Sequence, residues 1–187
     1  MRSRIDVAVS CPSGSTMPVF ATSLRSEDPV LFMEHRHLLN MKGPVPDGEH
    51  RVPFGQAAVV REGTDATVVA LTVMVHHARQ IGEELSGKGI SLEIIDPRTV
   101  APLDVETILA SVRKTGRLLI VDETFMPCGI GAEISAHVTE HGFDELDAPI
   151  KRLNGAHVPT PYSPSLEQAV VPDRASIRQA VLDLLAE

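Results

Sequence analysis

From about Asp65 onward, the spacing of apolar positions switches period in a regular way. "ATVVALTVMV" (66–75) is a continuous β-branched run without polar alternation, the pattern of a strand buried on both faces. "HHARQIGEELSGKG" follows, with Ala78, Ile81, Gly82 and Leu85 on one helical face and Gly87 and Gly89 as stop signals. Strand "SLEIID", turn "PRTVAPLD" and helix "VETILASVRKT" come next, with Val105, Ile108, Leu109 and Val112 forming an apolar stripe. Strand "RLLIVDE", a glycine-bearing loop, helix "GAEISAHVTEHG" and strand "APIKRLNG" continue the series. A proline-rich stretch leads to a last helix in "DRASIRQAVLDLLAE", with Asp173 as N-cap and Ile177, Val181 and Leu184 as its stripe. Strand–helix alternation of this kind predicts an α/β fold: a mostly parallel sheet with right-handed crossovers and helices on both faces, three layers in all.

The first part reads differently. "MPVFATSLRS" predicts a short helix and "DPVLFMEH" a strand, with a further strand near Val7–Ser13. This β-α-β piece cannot bury its own faces. "NMKGPVPDGEHRVP" is a Pro/Gly linker. The division is therefore 1–43 as a remnant of another domain, 44–55 as linker and 56–187 as the α/β domain.

Composition sharpens the picture. The 187 residues are 43% hydrophobic, carry a net charge of −8 and show no basic stripe, which argues against nucleic acid as a partner. No apolar run approaches membrane-spanning length, no signal-peptide core follows the start, and the two cysteines, Cys11 and Cys128, are far apart. The expectation is a cytoplasmic chain with reduced thiols and no membrane partner.

Candidate chemistry is sparse. "CGIGAEI" has the layout of a phosphate cradle, but Ile134 stands where a third glycine would be and no G-K-[ST] follows. Gly129 and Gly131 then serve close packing at a helix entry. His137 and His141 are one helical turn apart, with Glu133 a turn earlier; no third ligand is evident, and no metal site is assigned. "EHRH" puts Glu34 and Arg36 on one face of a strand and His35 and His37 on the other. His76 and His77 open a helix just past a strand's carboxyl end, where open α/β sheets bind ligands. Cys128, before a helix N-terminus, has no base near it in sequence. No catalytic triad is found.

"DPVLFMEH", "KGPVPDGEHRVPFGQAAVVREGTDATVVA", "MVHHA", "IIDPRTVAPLD", "SVRKTGRLLIVDE", "CGIGAEI", "LDAPIKRLNG" and "PTPYSPSLEQAVVP" occur in an order that resembles one family. They are similar to the β subunit of the thiamine-diphosphate-dependent decarboxylating component of 2-oxo acid dehydrogenase complexes, of pyruvate, branched-chain and acetoin type. The resemblance implies a transketolase-type C-terminal domain over 56–187 and the tail of a pyrimidine-binding domain before it. About 100–150 further residues, a whole domain, would have to precede. The family's cofactor-activating glutamate and active-site histidine have no matching position, so no catalytic, cofactor-binding or metal residue is assigned, and Glu34 and His35 are not given those roles. Thiamine diphosphate and magnesium belong to the parent assembly, with none expected on the isolated chain. The implied partners are an α subunit, a second β subunit and the lipoyl-bearing acyltransferase core. The implied role is subunit association and docking, with an inactive chain on its own. A free-standing assembly module derived from this domain is the alternative. Interface candidates are Asp144, Glu145, Asp147, His76, His77, His137 and Glu187.

Overall fold

The computed structural model of the protein describes residues 5–9, 16–42, 47–48 and 50–187, with only the backbone of Thr16 and Met17. Cys11, and the part of the first strand expected at Ser10–Ser13, lie outside the described residues.

Among the described residues there are eight strands: β1 (Asp6–Val9), β2 (Val30–Met33), β3 (Ala58–Arg61), β4 (Ala66–Ala70), β5 (Leu92–Asp96), β6 (Thr99–Ala101), β7 (Leu118–Phe125) and β8 (Lys151–Gly155). The α-helices among the described residues are α1 (Thr16–Ser23), α2 (Val73–Ser86), α3 (Val105–Thr115), α4 (Ile130–Gly142), α5 (Pro164–Val170) and α6 (Arg174–Leu185). Five strands form one sheet in the order β3-β5-β4-β7-β8. All its pairings are parallel except β3 on β5, an antiparallel edge.

The buried side chains divide by face. Ala66, Val68 and Ala70 of β4 pack with α2 and α6 residues such as Ile81, Leu85, Ile177 and Val181. Val69 packs on the opposite face with Ile108 and Val112 of α3 and with Ile134 and Val138 of α4. Every residue of β4 and β5 is buried. The three-layer arrangement expected from the alternation is therefore present. One polar side chain of the central strand is satisfied from a helix: Thr67 Oγ1 lies 2.6 Å from Ser111 Oγ and 2.7 Å from Thr115 Oγ1. A buried hydroxyl without such partners would be destabilising.

α3 runs from Val105 to Thr115, as its stripe predicts, with Asp104 accepting from Thr107 N–H at 3.1 Å. Asp173 caps α6 through a reciprocal capping box with Ser176. The run 66–75 is different: it is not one strand. β4 ends at Ala70, and Val73, Met74 and Val75 are the buried first turn of α2. A run that is apolar all round carries no period, so strand and buried helix cannot be separated within it. His76 and His77 consequently sit in the second turn of α2 rather than opening it.

The small sheet has the order β2-β1-β6, with β1 parallel to β2 and antiparallel to β6. β6 falls inside "PRTVAPLD", which reads as a turn; three residues are too few to show a period. By supplying this strand, the α/β segment extends the first part's sheet. A minor core of Ala8, Val19 and Val52 lies beneath it, flanked by Phe32 and Phe54. Val52, in the linker span, is thus a packed residue, and its carbonyl accepts from Thr22 Oγ1 at 2.8 Å. The "EHRH" segment is not strand. β2 stops at Met33, and Arg36–Leu38 form a 3-10 turn closed by His35 Nδ1 accepting from His37 N–H at 3.3 Å.

Candidate functional site: the switch point at the ends of β4 and β7

From β4 the chain crosses to β5 on one side of the sheet, then returns past β4 to β7 on the other. The carboxyl ends of β4 and β7 therefore flank the switch point where open α/β sheets form a ligand crevice. Thr72 follows β4 there, and Glu123 lies near the end of β7. Thr72 has φ 51° and ψ −125°. A β-branched residue in that region is strained. The turn aims Oγ1 at Glu123, donating to Oε2 at 3.1 Å.

The same carboxylate oxygen meets His35 Nε2 at 2.7 Å, a contact between side chains that are 20% and 25% exposed. His35 comes from the segment after β2, so the chain's own first part reaches the carboxyl ends of β4 and β7. Burial alone would raise the Glu123 carboxyl. The hydrogen bond and charge of His35, the Thr72 hydroxyl and the charge of His37 more than reverse this and hold it below the usual carboxylate range. The His35 and His37 rings pack edge to face, 5.4 Å apart.

Beside this pair, the half-buried His77 is held neutral below its ordinary value. Burial is the main cause, helped by the charges of His76 and Arg174 and opposed by Glu123 and Asp173. Its Nδ1 is buried without a hydrogen-bond partner. His76 is shifted the same way, by burial first and then Arg79. On the far side, Asn154 Nδ2 donates to Thr124 O at 3.1 Å. Gly155 approaches so closely that a Cβ there would lie 2.2 Å from Glu123 O. Thr72, Glu123 and His35 were missed as a group from sequence. The signal was present only as a Thr at a strand-to-helix junction, hidden by the apolar run around it.

The "CGIGAEI" loop forms the N-terminus of α4. Gly129 is the N-cap, and a Cβ on Gly131 would come within 3.3 Å of Ile120, so the second glycine permits close helix–strand packing. Cys128 is exposed with φ 57°.

The other sequence candidates are scattered. Asp144 and Glu145 occupy an exposed 3-10 turn after α4. Asp147 is tied to the end of α3: its N–H donates to Gly116 O at 2.7 Å and its carboxylate lies 4.0 Å from Arg117. Glu187 pairs with Lys151 Nζ at 3.1 Å. His137 Nε2 lies 3.4 Å from Glu133 Oε1 on α4. Among the described residues no helix is long and apolar enough to cross a membrane.

Residues 55–177 match the family model described as transketolase, C-terminal domain. The chain is 42% identical over 174 residues to the acetoin:2,6-dichlorophenolindophenol oxidoreductase subunit beta of Cupriavidus necator, covering 92% of this chain and 52% of that protein. It is 44% identical over 178 residues to the pyruvate dehydrogenase E1 component subunit beta of Staurastrum punctulatum, covering 95% and 54%. Mitochondrial forms are among the relatives. A solved structure titled split gene transketolase, inactive beta4 tetramer, superposes with a TM-score of 0.78 at 23% identity, over 98% of this chain and 58% of that one, a likeness of fold. The chain spans about half the length of the curated relatives it matches. It belongs to the transketolase C-terminal domain family, within the group formed by β subunits of the decarboxylating component of 2-oxo acid dehydrogenases.

Proposed function

We propose that this chain serves as the association part of a 2-oxo acid dehydrogenase β subunit, joining an α subunit and a second β subunit and docking the lipoyl-bearing acyltransferase core, without turnover on its own. The observation that carries this reading is the open face of the small sheet. β2 alternates half-buried and exposed positions. Phe32 packs on Phe20 of α1, with ring centroids 5.2 Å apart, while Leu31 and Met33 on the other face are 54% and 44% exposed. Ile5, Leu24, Leu39 and Met41 in the same part of the chain are exposed as well. Apolar surface gathered in one region marks a contact for another protein.

The switch point is consistent with this reading, since His35 of the chain's own first part is bonded to Glu123 there. Its donor set of imidazoles, one hydroxyl and one carboxylate does not fit magnesium diphosphate, which takes oxygen ligands. No step through thiamine diphosphate is therefore derived for these residues. Its place, with magnesium, is in the parent assembly, and a cytoplasmic setting goes with this reading. Of the acidic docking candidates, Asp144 and Glu145 are the better placed, because Asp147 and Glu187 already have partners within the chain.

The test is co-purification with the α subunit of such a component, together with a 2-oxo acid decarboxylation assay in the presence of thiamine diphosphate and magnesium. A complex is expected, with no turnover by the chain alone. Turnover by the isolated chain overturns the reading. Failure to join any α or β subunit points instead to the free-standing assembly module.

A further inference from the structure

Helix α4 carries a group of side chains that the association role does not use. His137, Glu140 and His141 each offer one ligand atom, and these atoms all lie within 4.8 Å of one another. The helix dictates this: residues three and four apart share a face, so the two imidazoles stack one turn apart with ring centroids at 6.1 Å. Glu140 supplies the third group, which the sequence spacing of the two histidines alone did not reveal. All three face solvent. His141 and Glu140 are 55% and 67% exposed and His137 is 34% exposed, so an ion can reach them without any opening of the fold. Glu133, a turn earlier, has Oε1 3.4 Å from His137 Nε2. It is placed to accept a ring N–H and so orient the imidazole, as carboxylates do behind metal-bound histidines.

We propose that His137, Glu140 and His141 form a binding site for a divalent transition-metal ion, zinc above all. Two imidazoles and one carboxylate suit zinc, cobalt, nickel or copper. Magnesium and calcium take oxygen ligands and gain little from such a set. Three protein ligands leave a coordination position for water or for a group from outside the chain. The ligands span little more than one turn of the C-terminal half of α4. The ion therefore holds that half of the helix, and because the unfolded chain does not present the three groups together, binding stabilises the fold. The site lies at the opposite end of α4 from the Gly129 loop, apart from the His35–Glu123 crevice, and does not depend on the association role.

The experiment uses the full, untagged chain freed of metal. Zinc binding is followed by calorimetry and by the melting temperature, and cobalt(II) gives a visible spectrum that reports direct ligation independently of stability. One zinc per chain is expected, with a raised melting temperature and a cobalt spectrum of nitrogen and oxygen ligation. His137→Ala and His141→Ala should each weaken binding by about tenfold or more, and Glu140→Gln by less. Magnesium should leave the melting temperature unchanged. Because these positions are on the surface, the metal-free variants should melt as the parent does. Unchanged one-site binding in the His137→Ala, His141→Ala double variant overturns the proposal, as does the absence of saturable binding by the parent at millimolar zinc.

Discussion

The two sheets of this chain solve the same problem in opposite ways. The five-stranded sheet is covered on both faces, and two of its three inner strands, β4 and β5, have no exposed residue. The three-stranded sheet has a core of Ala8, Val19 and Val52, borrows its third strand from the larger part, and leaves Leu31 and Met33 open. A sheet that buries one face and exposes an apolar other face is half of an interface. Under the proposed function, the first region supplies stability and the second supplies the association surface.

The largest effects should come from the covered sheet. Leu119→Ala empties a fully buried site between α2 and β7 and should cost about 2–5 kcal/mol in chemical denaturation. Leu31→Lys should leave that midpoint nearly unmoved, since the side chain is exposed in the chain alone. Equal losses from both would erase the contrast.

Next is the ion pair between the buried Glu93 and the half-exposed Lys114, at the amino edge of the large sheet. Glu93 is 3% exposed and meets Lys114 Nζ, with Gly63 N–H donating to it at 3.2 Å. Burial alone would raise the Glu93 carboxyl, but Lys114, Ser111 and the Gly63 amide outweigh it and hold the group low. Lys114→Met leaves the Glu93 carboxylate without its cation, and with Lys114 itself half in solvent it should cost about 1–2 kcal/mol, read from the same denaturation curve.

A similar effect should separate the two regions. Glu123→Gln weakens the pair with His35 that ties the first part to the crevice, at about 1–2 kcal/mol. Faster amide exchange should appear in β1 and β2 while β4 and β7 remain protected. The crevice also carries a pH dependence. His77 has a folded value below its ordinary 6.5, so its contribution is full above that pH and is lost as the pH falls below it. Glu123 has a folded value below its ordinary 4.5, so its contribution persists to lower pH and is lost as the pH falls from there through the folded value. Stability measured against pH should therefore fall in two stages, with His77→Gln flattening the upper one and Glu123→Gln the lower. The smallest change is Asp173→Ala, which removes the α6 capping box and should cost about 1 kcal/mol in the melting transition.

What could be read from sequence follows from which signals are local. α3 and α6 were legible because their stripes and caps are written within a dozen residues, and the parallel sheet because its strands alternate with helices. The junction at Ala70–Val73 was not, because Leu71, Val73, Met74 and Val75 are as apolar as the strand before them. β6 was hidden because it exists only by pairing with β1, some ninety residues away. The crevice failed for the same reason. Thr72, Glu123 and His35 come from three separate segments, and only the fold brings them to one oxygen. Of the histidines, His77 was placed near the correct edge, while the His35–His37 pairing came from a turn rather than from strand alternation.

The assignment of association to the small sheet is tested most directly by the mass of the chain in solution, measured by light scattering for the parent and for a Leu31→Lys, Met33→Lys variant. A parent mass above the single-chain 20.2 kDa is expected, and a variant near that value that still unfolds in one cooperative transition. The same oligomeric mass for both proteins, or a single-chain mass for both, would contradict it.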